Sequence, residues 1–285
     1  MVESFDYQDA FSRNIGWVTA SEQQALRTRR VAIAGMGGVG GSHLVTLSRL
    51  GVGAFNISDM DTFEVGNFNR QAGASMNSVG RPKVDVMEEM ALAINPELDI
   101  NKFPRGVDEH NLDRFLEGVD LYVDSLDFFA VPIRRAVFAA CAEKGIPAIT
   151  AAPLGMGSAF LCFMPGKMTF EEYFRLEGHP EKEQLVRFLV GLSPAMLQMG
   201  YLADRSKVDF GNRKGPSTPM ACEICAGLAG TYALKILLNR GKLCVAPWGL
   251  HFDAYRNRLK KTWRPGGNNN PLQRLILAIA RRAVS

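Results

Sequence analysis

Gly35, Gly37 and Gly40 follow the apolar run "RVAIA" in the spacing G-x-G-x-x-G. Glycines there let backbone N–H groups close on phosphate oxygens, and a helix opening behind them adds the positive end of its dipole. Gly38 belongs to the same loop. Asp59, 19 residues past Gly40, ends the next apolar run, with Asp61 two residues on. A carboxylate at the end of that second strand is placed to accept hydrogen bonds from ribose hydroxyls. Loop and acid together predict a nucleotide site and leave its occupant open between a dinucleotide such as NAD and a triphosphate such as ATP.

Charge separates the two. A pyrophosphate is satisfied by a helix end, whereas a triphosphate carries about four negative charges and wants cations and a metal. Arg70 and Lys83 follow in "DMDTFEVGNFNRQAGASMNSVGRPKVD", and Asp124 and Asp127 close the run "LYVDSLD". Carboxylates of that kind suit Mg²⁺, a hard cation. An NAD-dependent oxidoreductase would use the loop and Asp59 and leave Arg70, Lys83 and Asp127 without a role. The four histidines, at 43, 110, 179 and 251, show no ligand spacing, and no Ser-His-Asp grouping is visible.

The elements that must position these residues alternate along the chain. Strand-like "RVAIAG", "AFNISD", "LDINKFP", "LYVDS" and "PAITA" are separated by the helical patterns "GSHLVTLSRLG", "RPKVDVMEEMALAIN", "HNLDRFLEG" and "PIRRAVFAACAEKG". The order predicts an α/β, Rossmann-like, doubly wound sheet, mostly parallel, with flanking helices. Residues 1–29 read as a helical preamble, 30–165 as the nucleotide-binding core, and 169–218 as a charged helical crossover insertion that would serve as a lid. Its cations Arg205, Lys207, Arg213 and Lys214 would attract an acidic acceptor. "CEICAGLAGTYALKILLNRG" reads as a buried helix, "WGLHFDAYRNRLKKTW" as a hairpin, and 271–285 as a basic amphipathic helix. The whole of 1–285 reads as a single domain.

Composition bounds the class. The chain has 285 residues, 47% hydrophobic, enough for a well-filled core. The apolar runs outside helical patterns fall well short of the roughly 20 residues of a membrane helix, and "MVESFDYQD" lacks the features of a signal peptide. A cytoplasmic protein without a membrane span is expected. Five scattered cysteines do not form a disulfide framework, and a net charge of +4 gives nucleic acid only weak support.

"GMGGVGGS", "DMDTFEVGNFNRQ", "VGRPKVDVMEEMALAINPE" and "DLYVDSLD" resemble, in order and spacing, the adenylating domain of the ThiF/MoeB/HesA group, relatives of the ubiquitin-activating enzymes. "CEICAGLAGTYALKILLN" matches the later core helix of that group more loosely. The resemblance implies ATP-dependent adenylation of a carboxylate, typically the C-terminus of a carrier protein or peptide, by a homodimer using Mg²⁺. By position it makes Asp59 the ribose ligand, Asn67 and Gln71 pocket residues near the phosphates, Arg70 and Lys83 the triphosphate clamps, and Asp127 the Mg²⁺ ligand. Arg13, in "FSRNIG", matches an arginine lent to the partner's site. Relatives that dehydrate threonylcarbamoyladenosine imply tRNA as an alternative acceptor.

Three departures qualify the resemblance. Phe128 and Phe129 follow Asp127 where relatives usually carry Asn, which leaves a nucleotide-binding module without activity as a rival. Cys222 and Cys225 form the single CxxC pair, too few for a structural zinc. No cysteine lies between Phe163 and Ala221, so adenylation is expected without a thioester step.

Overall fold

The computed structural model describes residues 4–207 and 215–284. Eight strands form one sheet in the order β3-β2-β1-β4-β5-β6-β7-β8. They are β1 Arg30–Ala34, β2 Ala54–Ser58, β3 Asp99–Phe103, β4 Leu121–Asp124, β5 Ala148–Leu154, β6 Gly157–Phe163, β7 Trp248–Asp253 and β8 Arg258–Trp263. The first five run parallel, and the last three join antiparallel. Strand order reverses between β1 and β4, and the crevice at their carboxyl ends is where such sheets bind ligands.

The helices are α1 Tyr7–Ala10, α2 Ala20–Arg27, α3 Gly38–Leu50, α4 Lys83–Ile94, α5 Leu112–Phe115, α6 Val131–Lys144, α7 Phe170–Phe174, α8 Glu181–Leu192, α9 Pro219–Leu237 and α10 Pro271–Val284. β1 and β4 are buried on both faces, as central parallel strands are, which explains their unbroken apolar runs. One face packs on Leu44 and Leu47 of α3, Met87 of α4 and Ala229 and Tyr232 of α9. The other packs on Val137 and Phe138 of α6 and on an aromatic group from α7 and α8. α9 is long and apolar enough to cross a membrane by length and composition, but half of it is buried among α3, β5 and β6, as a core helix is.

The insertion after β6 is partly core. Phe170, Tyr173 and Phe174 of α7 and Leu185 and Phe188 of α8 are buried beside Phe138 and Phe163. Its charged residues occupy the outer faces, so composition alone reads the stretch as a charged insertion and conceals its buried aromatic side. Of the cations expected to attract an acceptor, Lys207 is exposed; Arg213, Lys214 and the side chain of Arg205 lie outside what the structure describes. The amino-terminal preamble is tied down by Tyr7, whose hydroxyl donates to Gly51 O at 2.5 Å.

Candidate active site

The glycine loop leaves β1 and turns back under itself. Gly35 has φ +94°, and a Cβ there would lie 2.3 Å from Ser125 O; a Cβ on Gly40 would lie 1.8 Å from Gly35 O. Both positions therefore exclude a side chain. Gly37 differs, since the nearest atom to a Cβ there is Gln71 Nε2 at 3.7 Å. α3 begins at Gly38 with no side chain capping it. An uncapped helix end over an open glycine presents free N–H donors and a positive dipole to an anion.

Asp59 clamps this loop. Its Oδ2 accepts from Met36 N at 2.7 Å and its Oδ1 from Asp61 N at 2.8 Å. Each carboxylate oxygen keeps a second acceptor site for a ribose hydroxyl. Asp61 has another partner, with its Oδ2 3.0 Å from Lys83 Nζ. The Lys83 side chain is 7% exposed and that of Asp61 64%. Asp61 is thus the ion-pair partner of the buried Lys83 side chain at the first turn of α4.

The turn between β2 and α4 supplies the other groups. Arg70 Nη1 donates to Gly66 O at 3.2 Å and Asn69 Oδ1 at 2.9 Å, and its Cγ lies 3.5 Å from where a Gly38 Cβ would stand. Asn67 Oδ1 accepts from Glu64 N, which shapes the turn and leaves the amide nitrogen available. Gln71 is buried, and its Oε1 has no hydrogen-bond partner among the described residues. A buried carbonyl oxygen without a partner is costly, and the Nε2 of the same amide is the atom nearest a Gly37 Cβ, at the mouth of the glycine loop.

Asp124 and Asp127 divide their tasks. Asp124 Oδ2 accepts from Arg134 Nε at 2.9 Å in a fully buried ion pair, so it is not free to ligate a metal as its place at the strand end suggested. Arg134 Nη2 also donates to Leu126 O at 2.6 Å and Asp127 O at 3.0 Å. The pair therefore holds the loop that carries Asp127 to the surface. Asp127 is exposed, and its Oδ1 accepts from Phe129 N at 2.9 Å. Among the described residues no three His, Cys, Asp or Glu side chains converge on one point. A cation here would rest on the Asp127 carboxylate, substrate phosphates and water, as Mg²⁺ commonly does.

Arg13 stands apart. Its neighbour Asn14 donates to Leu50 O at the far end of α3, and 13 residues of helix span about 20 Å. Within one chain Arg13 cannot approach the glycine loop.

Cys222, which local sequence could not place, lies where a Cβ on Gly38 would meet its Sγ at 3.0 Å. Burial pushes its thiol up, and a hydrogen bond with Ser217 and the charge of Arg70 pull it partly back. Cys225 donates to Ser158 Oγ at 3.1 Å, and burial raises its thiol further. Each cysteine thus has its own packing neighbour. Phe128 and Phe129 meet edge to face, and Phe128 packs 5.2 to 5.4 Å from its ring neighbours Phe129 and Phe188. Where relatives carry Asn, this chain places an apolar wall joined to α8. Arg134 carries no local motif, and the CxxC pair does not reveal what Cys222 faces; their partners Asp124 and Gly38 give the signal only once the sheet is assembled.

Comparison with known proteins agrees with this geometry. The chain is 33% identical over 150 residues to the tRNA threonylcarbamoyladenosine dehydratase of Bacillus subtilis (strain 168), covering 52% of this chain and 57% of that protein. It is 32% identical over 134 residues to the molybdopterin-synthase adenylyltransferase of Salmonella typhimurium, covering 47% and 53%. The chain therefore spans about half the length of the curated relatives it matches. The crystal structure of E. coli MccB with ATP superimposes with a TM-score of 0.66 over 91% of this chain and 73% of that one, at 19% identity, and so shares the fold. The ThiF family profile matches residues 11–274, and the chain belongs to the ThiF family.

Proposed function

We propose that this chain is an ATP-dependent adenylyltransferase acting in the cytoplasm on the C-terminal carboxylate of a carrier protein or peptide, as a single domain over 1–285. The observation that carries it is the uncapped start of α3 over Gly37, faced by the Nε2 of the buried Gln71 and flanked by Arg70 and Lys83. Three positive features around one open loop suit a triphosphate better than a dinucleotide.

The acceptor carboxylate is already ionised at pH 7, so no general base is needed. One of its oxygens bonds to the α-phosphorus as the bond to the β-phosphate oxygen breaks, and pyrophosphate leaves with the electron pair. Arg70 and Lys83 face the charge that gathers on the leaving group; Asp61 releases part of its hold on Lys83 as the phosphates arrive. Asp59 orients the ribose, and Asn67 and Gln71 fix the phosphates. Mg²⁺, held by Asp127, would neutralise charge on the pyrophosphate. Positioning and charge carry the reaction.

Arg13 completes the site only in a dimer, lent by one protomer to its partner. Ile15 and Trp17 beside it are exposed, as are Val65, Phe68, Met76 and Val79 around the nucleotide turn. Apolar surface of this kind favours a protein contact. A second reading, dehydration of a modified base in tRNA, draws on the name of the Bacillus relative; it would use the same adenylation chemistry on another acceptor. The lid role of the crossover insertion 169–218 is part of the same proposal.

Calorimetric titration tests the reading. Micromolar binding of ATP with Mg²⁺, and none of NAD, is expected; binding of NAD alone would replace this reading with an oxidoreductase. ATP bound without any pyrophosphate exchange across a panel of carrier C-terminal peptides and tRNA would leave only a binding module.

A further inference from the structure

The far edge of the sheet has no role in nucleotide binding. β8 is the terminal strand, paired with β7 on one side only, and five of its six residues are exposed. Beside it lies a cleft of about 580 Å³. Arg256, Arg258, Lys260, Lys261 and Arg264 line it, and no carboxylate does among the described residues. None of the first four forms an ion pair among the described residues. The same cleft displays Trp248 and Trp263, whose rings lie 5.9 Å apart, with Lys261 Nζ 4.3 Å from the Trp248 centroid. Lysines alone on an edge strand would only guard it against pairing with another sheet; two exposed tryptophans beside them give an extended chain something to bind.

Resting on the adenylation reading, we infer that β8 is a docking strand for an acidic, extended segment of the carboxylate-bearing acceptor, which adds to the sheet as a ninth strand. Backbone pairing supplies affinity, and the cations and tryptophans select side chains at alternate positions. The strand directions make the arrangement productive. Arg258 is level with Asp253, Gly157 and Leu154, the end of β5, whereas Asp124 at the end of β4 is level with Thr150, Leu161, Gly249 and Thr262, so β8 begins about 13 Å beyond the carboxyl ends of β1 and β4. A chain antiparallel to β8 therefore enters near Trp263 and leaves near Arg258, with its carboxyl end directed to the nucleotide edge. Its path crosses Tyr255, exposed, with its ring tilted against that of Tyr201 at 4.5 Å.

The sheet also sets a length. From a strand outside β8 to β4 is five strand spacings, about 24 Å, and from the level of Arg258 back to the end of β4 is about 13 Å, so the span is about 27 Å, which about eight extended residues cover. The acceptor should carry its acidic segment about eight residues before the terminal carboxylate.

Fluorescence anisotropy with a labelled octapeptide of alternating Glu and Val tests the inference. Binding that weakens with salt is expected, and Lys260→Glu with Lys261→Glu should reduce it about tenfold or more while ATP affinity by calorimetry stays unchanged. A second peptide of the same charge, with proline at every other position, should fail to bind, because proline cannot donate to a strand. Equal binding of the proline peptide would overturn strand addition in favour of charge alone. Tighter binding of an octauridine RNA than of the peptide would overturn it in favour of a nucleic-acid surface. ATP binding with no peptide binding sinks the docking strand and leaves adenylation standing; peptide binding without ATP binding supports the docking strand and sinks adenylation.

Discussion

Arg134 and Asp124 form an ion pair of 2.9 Å with both side chains buried, and the same guanidinium holds the carbonyls of Leu126 and Asp127. The pair is therefore a bracket between the end of β4 and the start of α6, with Asp127 displayed on its outer side. Arg134→Leu strands a buried carboxylate and should cost about 3–5 kcal/mol in urea unfolding. Asp124→Leu combined with Arg134→Met should recover much of that loss, because a matched apolar pair removes the stranded charge. The loop carbonyls still lose their donor, so the double variant should fold yet lose pyrophosphate exchange about a hundredfold. A double variant with wild-type exchange would show that the bracket does not position Asp127.

The loop glycines separate folding from binding. Gly40→Ala places a methyl 1.8 Å from Gly35 O, and Gly35→Ala places one 2.3 Å from Ser125 O at φ +94°. Each should lower stability by about 3 kcal/mol or more, from overpacking and backbone strain. Gly37→Ala meets no atom closer than 3.7 Å, so its thermal midpoint should stay within a degree or two while ATP affinity falls about tenfold, the methyl occupying space meant for a phosphate. Wild-type ATP affinity in Gly37→Ala would place the phosphates elsewhere.

These contrasts show where sequence was legible. Gly35, Gly40 and Asp59 were readable because their partners lie on adjoining elements and their spacing is fixed by one strand-loop-helix-strand unit. The parallel core was readable for the same reason, each strand being a short apolar run. Asp124 was not: its partner Arg134 sits on the next helix, and only the fold decides whether a carboxylate at a strand end faces a metal or a guanidinium. Cys222 beside Gly38 joins two helices far apart in the chain. In 169–192 the outward charges concealed Phe170, Phe174 and Phe188, which face the core. Of the residues assigned to the nucleotide, Asp59, Arg70 and Gln71 stand against the loop, and Asp61 and Lys83 are joined to it through Asp59; the roles of all of them, and of Asn67, Asp127 and Arg13, rest on the experiments proposed for them.

Arg13 tests assembly. It lies one helix length from its own glycine loop, so Arg13→Ala and Lys83→Ala should each abolish exchange. Mixing the two variants should restore about a quarter of the wild-type rate, if subunits reassort freely and one site in each mixed dimer is intact. Sedimentation showing a monomer at micromolar concentration, or no recovery on mixing, would remove Arg13 from the site.

Cys222 tests the absence of a thioester. Its thiol is buried beside Arg70 and Gly38 and is raised above its ordinary range chiefly by burial, which lowers the thiolate fraction that could attack an acyl-adenylate. Cys222→Ala and Cys225→Ala should leave acyl-adenylate formation within about twofold of wild type, since neither group meets the charge that develops. Mass spectrometry of wild type incubated with ATP and an acceptor should show no adduct sensitive to hydroxylamine or thiol. Such an adduct, lost in Cys222→Ala, would make Cys222 a nucleophile.

His43 sets a dependence on pH. It is fully buried in α3, both ring nitrogens lack a hydrogen-bond partner among the described residues, and burial pushes its imidazole from 6.5 down to about 3. The folded state therefore keeps His43 neutral where the unfolded chain takes up a proton. Between about pH 6.5 and 3 the unfolded state binds more protons, so stability falls as pH is lowered through that window and is level above it. At pH 5.5, one unit below the free value, the loss from this group alone is about 1.4 kcal/mol. His251, lowered by burial and paired through Nδ1 with Ser193 Oγ at 3.1 Å, adds a loss of the same sign. Urea unfolding of wild type and His43→Phe at pH 7.5 and 5.5 isolates the first contribution, because the variant keeps His251. His43→Phe should lose less stability than wild type over that interval by about 1.4 kcal/mol, whatever its stability at pH 7.5. An identical decline in the two proteins would mean that His43 is protonated in the folded state, and hence that a proton acceptor or water reaches the ring inside the core.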